Sequence, residues 1–245
     1  MGQREATEIN RSHYFDGYDS SERFTSYWHQ IDEISAFGGR LLEIGVGNGT
    51  VTSVLRARDF EVTTVDLNAA LNPDVVADIR ALPFEDNSFD NALAAEVLEH
   101  LPWDQVPVAV SELVRVVRHG VVISVPNADV PFTLQARVPN AFQVVRMSLK
   151  GRIPVRHALW ALSQRVSWRR DGGVVSHVSS VDRLHTDGPP SSDQHYWELG
   201  LDGRRREDFV ELLESTGLSL VRDFRGPAFP YHHFFVLTRV EKPRP

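Results

Sequence analysis

Residues 41–50 read Leu-Leu-Glu-Ile-Gly-Val-Gly-Asn-Gly-Thr, an apolar run that enters a glycine-dense turn ahead of a helical pattern. Glycine lets the backbone adopt conformations, and approach a ligand, where a Cβ would obstruct, so strand-end turns of this kind suit nucleotide-like ligands. The spacing is Gly-x-Gly-x-Gly, with Thr50 where the dinucleotide fingerprint has its third glycine, which disfavours a nicotinamide cofactor. Asp66 stands 21 positions after Gly45, at the end of the next apolar run, where a carboxylate can accept bonds from ribose hydroxyls. Asp78-Ile79 closes a third run and offers a carboxylate for an adenine amino group and an apolar face for its ring. The competing readings are a plain tight turn for the glycines, a turn cap for Asp66 and a surface position for Asp78.

Acid–base groups are concentrated in two places. Histidine is the side chain whose ordinary pKa suits proton transfer near neutrality. Asp193-Gln194-His195-Tyr196-Trp197-Glu198 gathers a base candidate (His195), a hydrogen-bonding phenol (Tyr196) and a ring to cover a substrate (Trp197); the alternative is a packed loop. His100, after Glu99, either borders the acceptor or orients local structure, the structural role being favoured. His177, His185, His195, His232 and His233 form no compact pattern with carboxylates, and no metal is assigned.

The elements that must position these residues alternate. Strands are expected at 40–44, 61–65, 74–78, 89–94, 121–125, 218–222 and 234–240, and helices at 50–58, 105–117 and 206–216. His119-Gly120 is expected to end the 105–117 helix. This is an α/β pattern: a Rossmann-like, mostly parallel seven-stranded sheet flanked by helices, with a lid-like insertion after the fifth strand. One domain over 1–245 divides into an N-terminal helical region (1–39), a cofactor-binding half (40–126), a basic acceptor-side insertion or lid (127–205) and a C-terminal helix and strands (206–245). Gly172-Gly173 and 187–192 look like connections bracketing the lid. An amphipathic helix is expected at 155–168; packing within the protein is the simpler reading, peripheral membrane contact the second.

Taken together, Glu43 to Gly49, Asp66-Leu67, Asp78-Ile79 and Ala95-Glu96-Val97-Leu98-Glu99-His100 resemble the class I S-adenosylmethionine (SAM)-dependent methyltransferases, especially the type 11 group. The resemblance covers Arg40 to Pro126 and, more loosely, the C-terminal elements. It implies SAM as cofactor, with Glu43, Gly45, Gly47, Asn48 and Gly49 around the methionine portion and Asp66 with Leu67 at the ribose. Asp78 and Ile79 would meet the adenine, and Ala95 and Glu96 would border the methyl-transfer cleft. The implied reaction is methyl transfer to an oxygen or nitrogen of a small metabolite, sugar or lipid-linked acceptor. A sulfonium is already activated for displacement, so alignment can supply much of the catalysis without a metal. Arg118-His119-Gly120 replaces the family's Pro-Gly-Gly turn before the fifth strand, which keeps a noncatalytic SAM-binding regulatory or structural partner as the alternative. An NAD-dependent oxidoreductase is a third reading that the glycine spacing weakens.

Composition narrows the partners. The chain has 245 residues, no cysteine and a net charge of −7, so disulfides and thiolate chemistry are excluded and broad attraction to nucleic acid is disfavoured. Charge is uneven: between Ala128 and Pro190 nine Lys or Arg face four Asp or Glu. The expected partner is a small-molecule or lipid-linked acceptor. With no apolar signal segment or membrane-spanning run, the expected location is the cytoplasm.

Overall fold

The computed structural model describes residues 19–129, 132–137, 144–149, 195–226 and 228–240. The helix expected at 155–168 and the connections at 172–173 and 187–192 lie outside the described residues.

Helix α1 (Ser21–Ser35) starts where Ser20 accepts a bond from the Arg23 N–H at 3.2 Å, a side-chain cap for an otherwise unpaired donor. It leads to β1 (Leu41–Ile44), which is buried on both faces as an interior parallel strand must be. Then come α2 (Thr50–Ala57), β2 (Val62–Asp66), β3 (Val75–Val76), β4 (Phe89–Ala95), α3 (Val106–Val116) and β5 (Val117–Pro126). After the hairpin described below come α4 (Arg206–Ser215), β8 (Leu218–Arg225) and β9 (His232–Arg239).

Seven strands form one sheet in the order β3-β2-β1-β4-β5-β9-β8. The first five pair in parallel, and β9 runs antiparallel to both β5 and β8. The chain steps outward from β1 to β3 and then returns to β4 on the other side of β1. The carboxyl ends of β1 and β4 therefore flank the switch point where open α/β sheets open a crevice.

Alternation along the strands divides the core between the two faces. Leu41, Leu93 and Val122 join Tyr27, Ile31 and Ile34 of α1 and Val51 and Leu55 of α2. Leu42, Ile44, Ala92, Ala94, Val121 and Ile123 join Val106, Val110 and Leu113 of α3 and Phe209 and Leu213 of α4.

Arg118-His119-Gly120 is strand rather than turn, because β5 begins at Val117 and not at 121. Gly120 pairs with Asn91 and Thr238, and its N–H donates to Asn91 Oδ1 at 2.8 Å. A Cβ there would lie 2.4 Å from the Phe37 ring, so this glycine serves close packing instead of a turn.

Strands β6 (Phe132–Arg137) and β7 (Val144–Leu149) form an antiparallel pair of their own, in a unit separate from the seven-stranded sheet. They fall within the expected insertion, where no strand is expected from the sequence. The Phe132-Thr-Leu-Gln-Ala-Arg137 alternation was the legible signal.

Candidate active site

The turn after β1 is held by its glycines. Gly45, Gly47 and Gly49 have φ of 80°, 52° and 75°, the left-handed region that side-chain-bearing residues rarely adopt. A Cβ on Gly45 would also come within 2.6 Å of Val97 Cγ2. Gly49 is the N-cap residue of α2, so the turn delivers the chain to a helix N-terminus whose first N–H groups lack intrahelical partners.

Asp66, at the end of β2, ties the two strand ends together. Its Oδ2 accepts the Val46 N–H at 3.0 Å and its Oδ1 accepts the Asn68 N–H at 2.8 Å. Burial raises its pKa against these bonds. Two acceptor atoms, each with a second lone pair, leave capacity for ribose hydroxyls. Glu43, inside β1, accepts the Thr52 hydroxyl at 2.5 Å, and burial pushes its pKa up to about 7.

These groups surround a cleft at the carboxyl ends of β1, β2 and β4. Of the residues expected at the cofactor, Glu43, Gly45, Gly47, Asn48, Asp66, Ala95 and Glu96 line it. Gly49 stands next to Asn48 at the head of α2. Leu67, Asp78 and Ile79 are not among the lining residues. Leu67 is 59% exposed, Ile79 belongs to the core, and Asp78 is gripped by the Arg80 guanidinium, which holds its carboxyl below the usual range.

Two contributors escaped the sequence reading. Helix α1 brings Arg23, Tyr27 and Gln30 to the cleft wall. The Tyr27 hydroxyl and Asn48 Nδ2 both donate to Asp19 Oδ1 at 2.9 Å, which joins the start of α1 to the glycine turn. His232, at the head of β9, also lines the cleft. Its Nδ1 hydrogen-bonds with Ser26 Oγ at 2.7 Å and its Nε2 lies 3.3 Å from Glu96 Oε2. Burial drives the His232 pKa well below 6.5 and raises that of Glu96, so the neutral form of each is favoured. Glu96 accepts the Ser124 hydroxyl at 2.7 Å and has φ of 55°, a conformation uncommon outside glycine and worth noting beside a cleft. No periodicity marks an α1 residue or a strand-end histidine as facing the turn; only sheet order does.

The 195–198 segment, expected at the acceptor, is held by main-chain bonds near the strand ends. The Tyr196 N–H donates to Glu99 O at 2.8 Å and the Leu199 N–H to Pro126 O at 3.0 Å, which docks the segment beside the ends of β4 and β5. Trp197 corrects the expectation of a ring over a substrate. It is 3% exposed, packs edge-on against Trp103 at 4.8 Å and donates its indole N–H to Leu101 O at 3.0 Å, the position of a core residue with its polar handle satisfied.

His195 is buried and absent from the cleft lining, and Tyr196 is half-buried against the core. His195 Nδ1 lies 3.0 Å from Glu198 Oε1, which also accepts the Tyr231 hydroxyl at 2.6 Å. Its ring meets that of His100 edge-on at 5.1 Å. Glu99, His100 and His195 each offer one ligating atom, all within 4.8 Å of one another, a meeting of His195 with a carboxylate that the sequence did not disclose.

A family described as a methyltransferase domain matches residues 42–125. The fold is shared with the 1,6-didemethyltoxoflavin-N1-methyltransferase of Burkholderia thailandensis, solved with 1,6-didemethyltoxoflavin and S-adenosylhomocysteine. That likeness has 17% identity, covers 94% of this chain and 85% of that one, and has a TM-score of 0.56. It is also shared with the magnesium protoporphyrin IX methyltransferase of Synechocystis PCC 6803, solved with S-adenosylhomocysteine (14% identity, 94% and 92% coverage, TM-score 0.54). A third likeness is to the N-methyltransferase NodS of Bradyrhizobium japonicum WM9, in complex with S-adenosylhomocysteine (14% identity, 91% and 90% coverage, TM-score 0.53). At these identities the structures establish the fold, and the matched domain spans β1 to β5, the strands that build the cleft. Residues 42–125 thus match a methyltransferase domain family, and the chain shares the fold of methyltransferases solved with S-adenosylhomocysteine.

Proposed function

We propose that this enzyme transfers the SAM methyl group to an oxygen or nitrogen of a small metabolite, sugar or lipid-linked acceptor, with Glu96 and His232 on the acceptor side. The observation that carries the reading is the juxtaposition, in one cleft, of the glycine turn with Asp66 and the buried Glu96–His232 pair. SAM supplies an activated methyl on sulfur, so the protein's task is to bind, align and exclude water. The turn and Asp66 would hold the methionine and ribose portions, and Glu43 would face the cofactor's ammonium group. Leu67, Asp78 and Ile79 would take the adenine beyond the enclosed part of the cleft.

A hydroxyl or protonated amine acceptor must lose a proton as it attacks. The neutral His232 ring can accept that proton, and Glu96, 3.3 Å from its Nε2, would steady the imidazolium by giving up its own proton to solvent. This moves the base role from His195, which does not line the cleft, to His232, which does.

The test begins with calorimetry of the full chain against SAM, S-adenosylhomocysteine, NAD and NADP, followed by an acceptor panel scored for S-adenosylhomocysteine formation. Binding of the first two ligands, and turnover with an oxygen or nitrogen nucleophile, are expected. Preferential NAD binding would overturn the reading, and turnover only on a carbon acceptor would overturn its acceptor class.

A further inference from the structure

A second cluster near the end of β4 has no part in methyl transfer as derived above. Glu99, in the turn Leu98–His100, is fully buried, and neither of its carboxyl oxygens has a hydrogen-bond partner among the described residues. A carboxyl removed from water without a partner is too costly to hold as a free anion, so it either keeps a proton or gives it up to a bound cation.

The surroundings supply ligands for one. One atom each from Glu99, His100 and His195 lie within 4.8 Å of one another, with His195 brought from the far side of the insertion by its docked segment. His195 Nδ1 is held by Glu198, itself fixed by the Tyr231 hydroxyl, which assigns the proton to Nδ1 and leaves Nε2 with its lone pair. A carboxylate behind the imidazole is the arrangement that orients metal-ligating histidines.

We propose that Glu99, His100 and His195 bind one divalent transition-metal ion of the zinc class, with Glu198 and Tyr231 positioning His195. Two nitrogens and one oxygen suit zinc and its first-row neighbours, whereas magnesium and calcium prefer all-oxygen sites. An ion bound at about 2.1 Å would draw the three atoms to roughly 3.4 Å apart, an adjustment on the scale of side-chain rotation. Three protein ligands leave a coordination position open for water. The ion neutralises Glu99 and cross-links the 195–199 segment to the turn after β4. This site does not depend on the methyl-transfer assignment.

The untagged full chain, stripped with EDTA, is dialysed against zinc, cobalt or manganese and its metal content measured. Affinity is then titrated with zinc, and the visible spectrum of the cobalt form recorded. One ion per chain, a cobalt d–d spectrum of low coordination number and a higher Tm with zinc are expected. Glu99→Gln, which removes the charge at nearly constant shape, and His195→Ala are each expected to weaken zinc binding at least tenfold. Should one variant fail to fold, the other supplies the comparison. Absence of stoichiometric binding overturns the site, as does undiminished affinity in a folded variant, which would place the ion on other histidines.

Discussion

Glu43 is the most direct link between burial and behaviour in this fold, because its carboxyl sits in the centre of β1 with the Thr52 hydroxyl as its donor. Burial lifts its pKa from 4.5 to about 7. The folded state therefore keeps a proton on Glu43 in a range where the unfolded chain has lost it, so stability falls as pH rises from about 4.5 to about 7. The size follows from ~1.4 kcal/mol per pKa unit, giving a loss on the order of 3 kcal/mol across that window. Glu43→Gln removes the titration while preserving shape and a side-chain oxygen to accept the Thr52 hydroxyl. Urea unfolding of both proteins from pH 4.5 to 8, without cofactor, isolates the effect, since the other buried carboxyls titrate in both and cancel in the difference. Relative to wild type, the variant is expected to gain stability progressively up to pH 7 and then level off. A difference that stays constant with pH would refute the reasoning, as would one that grows toward acid. If the ionised carboxylate meets the SAM ammonium, wild-type SAM affinity rises through the same window and that of Glu43→Gln does not.

Asp66→Ala should weaken SAM binding by ~1–3 kcal/mol through lost ribose hydrogen bonds, read by calorimetry with circular dichroism as the folding control; unchanged affinity in a folded variant would remove the contact. His232→Ala should slow single-turnover methyl transfer by roughly 10²–10⁴ with SAM affinity nearly unchanged, and His195→Ala should slow it less; the opposite ranking would return the base role to His195. Because burial holds the His232 pKa well below 6.5, the unfolded chain binds the extra proton first, so acid destabilisation from this group should begin as pH falls through 6.5 and be absent in a folded His232→Ala. Trp197→Ala should cost ~3–5 kcal/mol of stability, as loss of a large core ring does, measured by chemical denaturation; a cost below 1 kcal/mol would contradict its place between Trp103 and Phe209.

What the sequence disclosed was local. The Leu41–Thr50 run carried its own strand, turn and helix signals, because apolar runs, glycines that need positive φ and a following amphipathic pattern are properties of neighbouring residues. The same holds for Asp66 at its strand end and for the helices at 106–116 and 206–215, whose apolar faces recur with helical spacing. The β5 boundary was misplaced because Gly120 reads locally as a breaker, whereas its reason is the Phe37 ring arriving from a distant part of the chain. Trp197 was misread for a related cause: an aromatic among polar neighbours suggests a surface, and only the docking of 196–199 against Glu99 and Pro126 puts it in the core.

The amino-acid sequence by itself determined that the chain forms an alternating α/β sheet with a glycine turn and a carboxylate at its strand ends. The tertiary structure alone decided which groups face the cleft across the turn, bringing Tyr27 from α1 and His232 from β9 to it while sending His195 to Glu99 and His100. The physical reason is that a strand's own residues fix its alternation and its ends, but sheet order is fixed by the burial of two whole faces. The β1/β4 switch point and the antiparallel insertion of β9 between β5 and β8 therefore place side chains together that no spacing in the sequence relates.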